Sequence, residues 1–547
     1  MLKHFKAWRW PLIVGLAGWL AVVLTRSDPG LTSDEPFSVF YGKDYVTRFC
    51  ERGREFFSPE SINETFDSRR EHPPLGRWAI GWVHWLLDEH RQDATYVNIY
   101  AARVAPATAF ALMLVLLTRV VGSRHGEFAG VAAGVALVLM PRAFGHAHFA
   151  ALDTFVSCTY LIAVLSAAWM MEGRWPSLRA PLAGIALGAA LLTKMHGGFL
   201  IPIVWLWGVC SHRFRGLPAL LIWSFTGAAV FFIGWPWLWG DLTKLWSEVS
   251  TGTFQLHQLP HTLDRLSLFL MSSLDRQTIH VTYLGRTYAD WAVPWHYSWL
   301  MFAVTVPAGL LVIGLCGLVR LLVSVRSDPR GQLYLVALLF PLVVFSMPRV
   351  PVYDGVRMFL MVFPLWAIMV GRGAGLFAEW LERLCRPRWA IAAVAGVLAC
   401  QACGVIYYHP FQLSYYNLLV GGLGGAERRG FEVTYWGDAV TPSLVNEWSQ
   451  LAPEESCAVV VPSLYDAHPE LFETELTSRR HQQLRGSLES KCPYLIVFNR
   501  KAYLDGVRDI IDSPDSIPLA ETSKAGVWLS RVYVRRLPGA ANNNDDP

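Results

Sequence analysis

Ionisable side chains interrupt the apolar sequence of this 547-residue chain at several connections between long apolar runs. They include both acids and cations, namely Asp34 with Glu35, Glu71 with His72, Asp153, Lys194 and Arg357. A carboxylate can accept a proton from a reacting hydroxyl group, and a Lys or Arg side chain can stabilise a negative charge that develops during a reaction. These residue types therefore fit a reaction that needs a general base and has an anionic leaving group.

The amino-acid composition indicates the environment of the chain. Hydrophobic residues make up 53% of the chain and charged residues 16%, whereas a soluble domain has about 25% charged residues. Lys and Arg number 47 against 43 Asp and Glu, which gives a net charge of +4 without a dense basic block. The composition therefore predicts a membrane protein whose partner is the lipid bilayer, and it argues against a nucleic-acid partner.

Apolar runs that approach the roughly 20 residues of a membrane-spanning helix occur along most of the chain. They lie near 10–24, 99–121, 128–144, 149–171, 181–192, 198–210, 217–235, 299–321, 332–345, 358–370 and 389–407. The sequence therefore predicts a polytopic α-helical membrane protein with about eleven transmembrane helices.

Arginine and lysine residues predict the orientation of these helices, because short cytoplasmic loops are enriched in them. The segment before Trp10 is basic, and so is every second connection, such as those at 119–124, 320–330 and 383–388. We therefore expect a multi-pass protein of a bacterial inner (plasma) membrane, with a cytoplasmic N-terminus and the first run kept as an anchor. The segments 26–98 and 235–297 and the C-terminal tail then face outward.

The tail differs in pattern from the rest and predicts a second domain. Residues 1–410 would form the membrane domain with outer loops 26–98 and 235–297, and residues 411–547 would form a small extracytoplasmic α/β domain. Strand-like runs lie at 458–462, 494–499 and 527–535, and helix-like segments at 444–451 and 482–488.

The nine cysteines have no zinc-finger spacing and lie mostly inside apolar runs. A thiol in such a run behaves as a small hydrophobic group. We therefore interpret the pair Cys400 and Cys403, one helical turn apart, as packing residues rather than a redox motif.

Each polar residue also has a simpler structural explanation. Asp34 follows a serine and could cap a helix. Lys194 and Arg357 could extend to the membrane interface without a ligand, and His146 and His148 could be ordinary interfacial histidines.

Several motifs, taken in order, resemble those of a known family. They are T-S-D-E-P, H-P-P-L, H-A-H-F-A-A-L-D, G-I-A-L-G-A-A-L-L-T-K and Y-D-G-V-R-M-F-L-M-V-F-P. The set is similar to motifs of the GT-C membrane glycosyltransferases, particularly the protein O-mannosyltransferase and lipid A aminoarabinose transferase group. Members of that group use a polyprenyl-phosphate sugar as donor, and the resemblance covers roughly residues 8 to 410.

The resemblance implies roles for the acidic residues. The catalytic carboxylate of the first outer loop falls on Asp34, which would act as the general base. Glu35 and Asp153 would then orient the acceptor or tune Asp34.

The resemblance also implies a binding site for the donor phosphate. Lys194 and Arg357 would hold the phosphate. His72 stands where the aminoarabinose transferase has a lysine in Glu-Lys-Pro, and it is a secondary candidate. Arg103 is another, because a charge inside an apolar run needs an ionic partner or a lipid phosphate. No cofactor is firmly implied, although Glu71 and His280 are candidates for a divalent metal site.

The expected function is therefore transfer of a sugar from a polyprenyl phosphate to an acceptor hydroxyl on the extracytoplasmic face, with inversion at the anomeric carbon. The acceptor could be a protein, a lipid or a glycan. The alternative is a transporter or flippase for a lipid-linked or polar solute. That alternative requires ionisable or helix-breaking residues near the middle of paired spans. The acidic residues avoid the centres of the apolar runs, and Arg103 is the one charge deep inside a run.

Overall fold

Long α-helices account for most of the architecture. The computed structural model describes residues 2–88, 97–239, 259–272, 277–454, 456–462, 483–485, 491–513 and 516–535. The helices of the first half are α1 (Leu2–Leu24), α2 (Glu35–Arg52), α3 (Pro59–Phe66), α4 (Leu75–Leu87), α5 (Ile99–Ala102), α6 (Val104–His125), α7 (Glu127–Val138), α8 (Pro141–His146), α9 (Leu152–Glu172), α10 (Pro176–Leu191), α11 (Leu200–His212) and α12 (Leu217–Gly234). Those of the second half are α13 (Leu259–Ser272), α14 (Tyr297–Thr305), α15 (Ala308–Ser324), α16 (Pro329–Val344), α17 (Val362–Leu381), α18 (Pro387–Tyr408), α19 (Gly422–Arg428), α20 (Pro442–Leu451) and α21 (Arg508–Ile511).

Within the described residues, seven helices are long and apolar enough to cross a membrane. They are Ala7–Leu24, Ile99–His125, Leu152–Glu172, Leu217–Gly234, Ala308–Ser327, Val362–Leu381 and Pro387–Tyr408. The other four predicted runs lie on the shorter helices α7, α10, α11 and α16. All eleven predicted apolar runs therefore coincide with helices, and the chain is a multi-pass integral membrane protein. The third run ends earlier than predicted, because α7 stops at Val138 and a new helix begins at Pro141.

The membrane helices form one packed bundle. Helix α1 packs on α6 and α7, α7 contacts α17, and α17 contacts α15, while α10 packs between α9 and α12. Outside this bundle, α2 crosses α4 at Gly42 and Gly81, where neither position has room for a Cβ atom. This close crossing brings the N-terminal ends of α2 and α4 to the same side of the protein.

The C-terminal domain contains a five-stranded sheet with the order β4-β3-β5-β7-β6. The strands are β3 (Cys457–Val461), β4 (Gln483–Arg485), β5 (Tyr494–Phe498), β6 (Ala520–Lys524) and β7 (Val527–Val534), and a separate hairpin pairs β1 (His280–Tyr283) with β2 (Arg286–Ala289). Strands β4, β3 and β5 run parallel, whereas β7 runs antiparallel to β5 and β6. The small C-terminal sheet region that belongs to the predicted fold class is therefore present.

Two details of this domain differ from the sequence prediction. The segment 482–488 was predicted to be helical, but its residues 483–485 pair with β3 and form the edge strand β4. The other residues of that segment lie outside the described residues. Strand β6 was not predicted. Its residues are mostly polar, and it pairs with β7 at the other edge of the sheet.

The sheet is joined to the membrane helices by a continuous hydrophobic core. Ala458, Val460 and Ile496 on one face belong to the same buried cluster as the membrane helices. Leu504 and Val507 cover the other face. The two parts of the chain are therefore packed against each other rather than joined only by a linker.

Two of the nine cysteines form a disulfide bond, which was not predicted from the sequence. Cys457 at the start of β3 is bonded to Cys492, which precedes β5. The parallel pairing of β3 with β5 brings the two residues together, although they are 35 positions apart in sequence. Cys400 and Cys403 are free cysteines on α18.

Candidate active site

A cavity of about 360 Å³ opens at the N-terminal ends of α2, α4 and α9. Its wall contains both charged and apolar residues: Ser33, Asp34, Phe37, Ser38, Tyr41, Glu71, His72, Arg77, Leu152, Lys194 and Arg357. Five of the residues predicted from sequence therefore surround one space, although they come from four separate connections of the chain.

Asp34 precedes α2 at its N-cap position, but its side chain makes no capping hydrogen bond. Its carboxylate instead forms an ion pair with Nη2 of Arg357, and 36% of the side chain is exposed. The helix-cap explanation of Asp34 is therefore not supported by the structure. Asp34 is an acid that faces the cavity.

Lys194 lies in extended backbone after α10 and points at the first turn of α9. Its Nζ lies 2.8 Å from Oδ1 of Asp153, and only 8% of the Lys194 side chain is exposed. A backbone hydrogen bond of 3.0 Å from Leu75 to Leu192 ties the start of α4 to the same segment. Lys194 is therefore a buried, paired cation rather than one that extends freely to the interface.

Arg357 follows a turn in which Asp354 and Gly355 both have positive φ angles, of 55° and 65°. Its Nε lies 3.0 Å from Oδ2 of Asp153, and its Nη1 lies 3.1 Å from Oδ2 of Asp354. The guanidinium carbon lies 4.2 Å from the centre of the Trp436 ring. Two carboxylates and an aromatic face thus fix the plane of the guanidinium and direct Nη2 toward Asp34.

Arg77 is a further cation of the cavity wall, and sequence reasoning missed it. It lies on α4, with only 4% of its side chain exposed, and it pairs with Glu71 while its guanidinium covers the ring of Tyr41 at 4.8 Å. Its signal in the sequence was a charge on the apolar, amphipathic stretch 75–87. A buried charge in such a stretch needs a partner.

His72 lines the cavity but does not supply a positive charge. Burial, together with the nearby charges of Arg77 and Lys194, holds the pKa of His72 well below its usual value. The ring is therefore neutral near pH 7 and can only donate or accept hydrogen bonds. The structure supports contact between His72 and a ligand, but not the replacement of a lysine charge.

Glu35 and Arg103 do not reach the cavity, and the roles predicted for them do not fit the structure. Both side chains are fully buried, and Nε of Arg103 lies 2.7 Å from Oε1 of Glu35. Arg103 also donates to the backbone carbonyls of Arg26, Pro29 and Gly30, and the Glu35 carboxylate accepts from Ala150. The pair therefore fixes the segment between α1 and α2 to the start of α6 and has no free atom for a donor phosphate.

The predicted metal site of Glu71 and His280 does not form. Glu71 is paired with Arg77, whereas His280 lies at the start of β1 against Tyr503 of the C-terminal domain. In the part of the chain that the structure describes, no group of three or more His, Cys, Asp or Glu side chains could hold a metal ion.

His146 and His148 are buried beside the site without lining the cavity. His148 lies 2.9 Å from Oγ1 of Thr25 and 3.0 Å from the carbonyl of Phe144, and the His146 ring packs against Trp436. These contacts favour packing roles for both histidines.

The fold and the placement of this cavity define a class: the chain has the GT-C fold of polytopic membrane proteins, with a charged cavity at one end of the helix bundle. Among solved structures, ArnT from Cupriavidus metallidurans in the apo state matches with a TM-score of 0.50 and 14% identity, over 96% of both chains. The same protein bound to undecaprenyl phosphate gives 0.49 and 13%, over 96% of this chain and 97% of that one. The archaeal oligosaccharyltransferase AglB from Archaeoglobus fulgidus gives 0.46 and 11%, over 90% of this chain and 69% of that one.

The sequence matches no protein-family profile and no curated protein. The likeness to the ArnT apo structure therefore establishes the fold of this chain, and its chemistry has to be argued from the cavity itself.

Proposed function

We propose that this protein is a membrane glycosyltransferase that moves a sugar from a polyprenyl-phosphate donor to an acceptor hydroxyl on the extracytoplasmic face. One observation carries the proposal. A partly exposed carboxylate, Asp34, lines one cavity at the end of the membrane helices together with the cations Lys194 and Arg357, and it is paired with Arg357. That arrangement provides a base for the acceptor and positive charge for a leaving phosphate.

The dimensions and lining of the cavity suit such a donor. Its volume of about 360 Å³ falls within the roughly 300–1,000 Å³ typical of small-molecule sites. Phe37, Tyr41 and Leu152 offer apolar surface for the face of a sugar ring or the first isoprene unit. The phosphate of a polyprenyl donor would lie near the membrane interface, and Lys194 and Arg357 lie close to the ends of the apolar helices α10 and α17.

The reaction is a single displacement. Asp34 accepts the proton of the acceptor hydroxyl. The hydroxyl oxygen bonds to the anomeric carbon of the sugar as the bond between that carbon and the phosphate oxygen breaks. The electron pair stays on the leaving polyprenyl phosphate, whose growing charge is stabilised by Lys194 and Arg357. Because the reaction has one step and forms no covalent sugar intermediate, the configuration at the anomeric carbon inverts.

Asp153 has a different task from Asp34. Only 2% of its side chain is exposed, and both of its oxygens are bound by the two cations. It therefore holds Lys194 and Arg357 at a fixed spacing instead of exchanging a proton with the acceptor.

The pair between Arg357 and Asp34 links donor binding to the base. A phosphate that enters the cavity competes with Asp34 for Nη2 of Arg357, the nitrogen directed at the cavity wall. Charge-assisted bonds from arginine to phosphate are strong and directional. Donor binding would thus release the Asp34 carboxylate toward the acceptor.

The transporter alternative depended mainly on Arg103, because this residue was the one charge deep inside an apolar run. Arg103 lies between α5 and α6, and its charge is neutralised by Glu35. A buried charge with a full set of partners has a structural explanation.

The disulfide between Cys457 and Cys492 supports an extracytoplasmic C-terminal domain. Disulfides persist mainly in oxidising compartments, such as the bacterial periplasm. Together with the alternation of basic loops, this bond favours the orientation expected for an inner-membrane protein with its cavity on the outer side.

The direct test uses purified protein and a panel of polyprenyl-phosphate sugars, both hexosyl and pentosyl, with a membrane extract as the source of acceptor. We expect protein-dependent release of polyprenyl phosphate with at least one donor, and its loss in Arg357→Ala. Movement of an intact donor across a liposome membrane without bond cleavage would contradict the proposal and favour the transporter.

A further inference from the structure

An ionic chain connects the C-terminal domain with the cavity. Arg500, which follows the central strand β5, places Nη2 2.9 Å from Oδ1 of Asp354. The other oxygen of the same carboxylate, Oδ2, lies 3.1 Å from Nη1 of Arg357. One carboxylate therefore bridges an arginine of the C-terminal domain and an arginine of the cavity wall.

The bridge is buried and rigid. Side-chain exposure is 4% for Asp354, 8% for Arg357 and 13% for Arg500. The residue before Arg500 is fixed to the sheet, because the backbone of Asn499 donates to Leu529 at 2.8 Å and its side chain donates to Trp528. Since Arg500 extends from a fixed strand end, it can hold Asp354 in one orientation.

The C-terminal domain reaches the cavity at a second point as well. The Trp436 ring covers the guanidinium of Arg357 at 4.2 Å. The backbone of Ser33 donates to the carbonyl of Trp436 at 3.2 Å, and that of Gly30 donates to Asp438 at 2.9 Å. The loop that carries Asp34 and the side chain of Arg357 are thus both fixed by residues 436–438.

These contacts determine which nitrogen atom of Arg357 is directed into the cavity. Asp153 holds Nε and Asp354 holds Nη1, and the ring of Trp436 covers one face, so Nη2 is the atom directed at Asp34 in the cavity. Without Arg500, the Asp354 carboxylate would lose one of its two cations and could turn away from Nη1. The guanidinium would then be held by Asp153 and Trp436 without Asp354, and Nη2 would be directed toward the cavity less firmly.

We infer that the C-terminal domain completes the donor-binding site, and that Arg500 is a positioning residue that acts on the donor phosphate through Asp354 and Arg357. The inference rests on the proposed function, because it assumes that Arg357 binds the phosphate. It assigns the tail domain a part in binding the donor, in addition to any contact with the acceptor.

The test compares Arg500→Ala and Arg500→Lys with a matched control, Arg531→Ala. Arg531 is also an arginine of the C-terminal sheet and pairs with Glu521 across β6 and β7, away from the cavity. Binding of polyprenyl phosphate to the purified full-length protein and the donor KM and kcat are measured, together with the melting temperature of each variant.

We expect Arg500→Ala to weaken polyprenyl-phosphate binding and raise the donor KM by about tenfold or more, the scale of one charge-assisted hydrogen bond. Arg500→Lys should recover part of this loss, and Arg531→Ala should bind as the wild type does. Because Arg500 acts through Arg357, the double variant Arg357→Ala/Arg500→Ala should lose little beyond Arg357→Ala alone.

Two results would overturn the inference. One is wild-type affinity in Arg500→Ala. The other is a loss in the double variant equal to the product of the two single losses, which would show that Arg500 acts independently of Arg357. If Arg500→Ala does not fold, Arg500→Lys and Asp354→Asn provide the same comparison. A wild-type protein that neither binds polyprenyl phosphate nor cleaves the donor would instead refute the proposed function itself.

Discussion

Lys194 and Arg357 bind the two oxygens of a single carboxylate. Nζ of Lys194 lies 2.8 Å from Oδ1 of Asp153, and Nε of Arg357 lies 3.0 Å from Oδ2. The acid therefore offsets part of the repulsion between two buried cations and sets their spacing. Both cations also line the cavity, so a phosphate bound there could contact the two of them at once.

Removal of the Lys194 charge tests its contact with the donor. Lys194→Met retains most of the apolar stem, and Asp153 retains Arg357 as a partner. We expect the donor KM to rise about 10- to 100-fold, because a hydrogen bond to a charged group contributes roughly 1.5–3 kcal/mol. Lys524→Met is the matched control, since Lys524 lies over the Tyr407 ring and outside the cavity wall. An unchanged KM in Lys194→Met would show that this cation serves only to neutralise Asp153.

The buried pair of Glu35 and Arg103 makes a prediction about stability rather than catalysis. Glu35→Gln or Arg103→Met leaves one charge buried without its ionic partner, which typically costs about 3–5 kcal/mol. We expect a large fall in melting temperature for each single variant. In the double variant, the fall should be smaller than the sum of the two single falls. If Glu35→Gln kept its melting temperature but lost activity, Glu35 would return to the catalytic role predicted from the sequence.

Asp438 predicts how stability depends on pH. Burial raises the pKa of Asp438 from 3.8 to about 7, so the folded protein favours the neutral acid. Between about pH 4 and pH 7 the carboxyl group is ionised in the unfolded state but still largely protonated in the folded state, so stability falls as the pH rises, by on the order of 4 kcal/mol in total. Below this window the acid is protonated in both folded and unfolded states, and the cost disappears.

Asp438→Asn removes this titration. Thermal denaturation of the detergent-solubilised proteins measures the difference in melting temperature between Asp438→Asn and the wild type. This difference should increase in favour of the variant from pH 4 to pH 7 and stay constant above pH 7. Asp505→Asn, at an exposed position, is the control. A difference between Asp438→Asn and the wild type that does not vary with pH would contradict the burial argument.

The membrane orientation gives a prediction for reporter fusions. The connection between α17 and α18 carries Arg383, Arg386 and Arg388, which is typical of a cytoplasmic loop. A reporter fused after Arg388 should be active in the cytoplasm, and one fused after Pro410 should be active outside. If both fusions gave the opposite result, the cavity and the C-terminal domain would be on the cytoplasmic side.

Local sequence patterns predicted the helices well, because length and apolar composition are sufficient to identify a membrane-spanning helix. They also identified five of the residues that line the cavity, namely Asp34, Glu71, His72, Lys194 and Arg357. Lys194 and Arg357 lie next to apolar runs, where a charge is noticeable in the sequence.

Contacts between distant parts of the chain were harder to predict. Arg103 was interpreted as a ligand residue because its partner Glu35, which lies at the start of α2 and 68 positions away, cannot be identified from spacing alone. Arg500 was missed for the same reason, since the sheet determines where its side chain reaches. The disulfide of Cys457 with Cys492 depends on the parallel pairing of β3 and β5, which the sequence does not specify.

Asp34→Asn removes the proposed general base with little change in the shape of the side chain. Asparagine keeps the size of the side chain and one oxygen acceptor but cannot take up the proton of the acceptor hydroxyl, and loss of a general base typically lowers the rate by about 10²- to 10⁴-fold. The measurement is the release of polyprenyl phosphate by purified wild-type and Asp34→Asn protein at a saturating donor concentration. We expect a rate lower by this factor, a preserved melting temperature, and donor binding that is at least as tight as in the wild type, because the neutral amide competes less with the phosphate for Arg357. Release at nearly the wild-type rate would show that Asp34 is not the base.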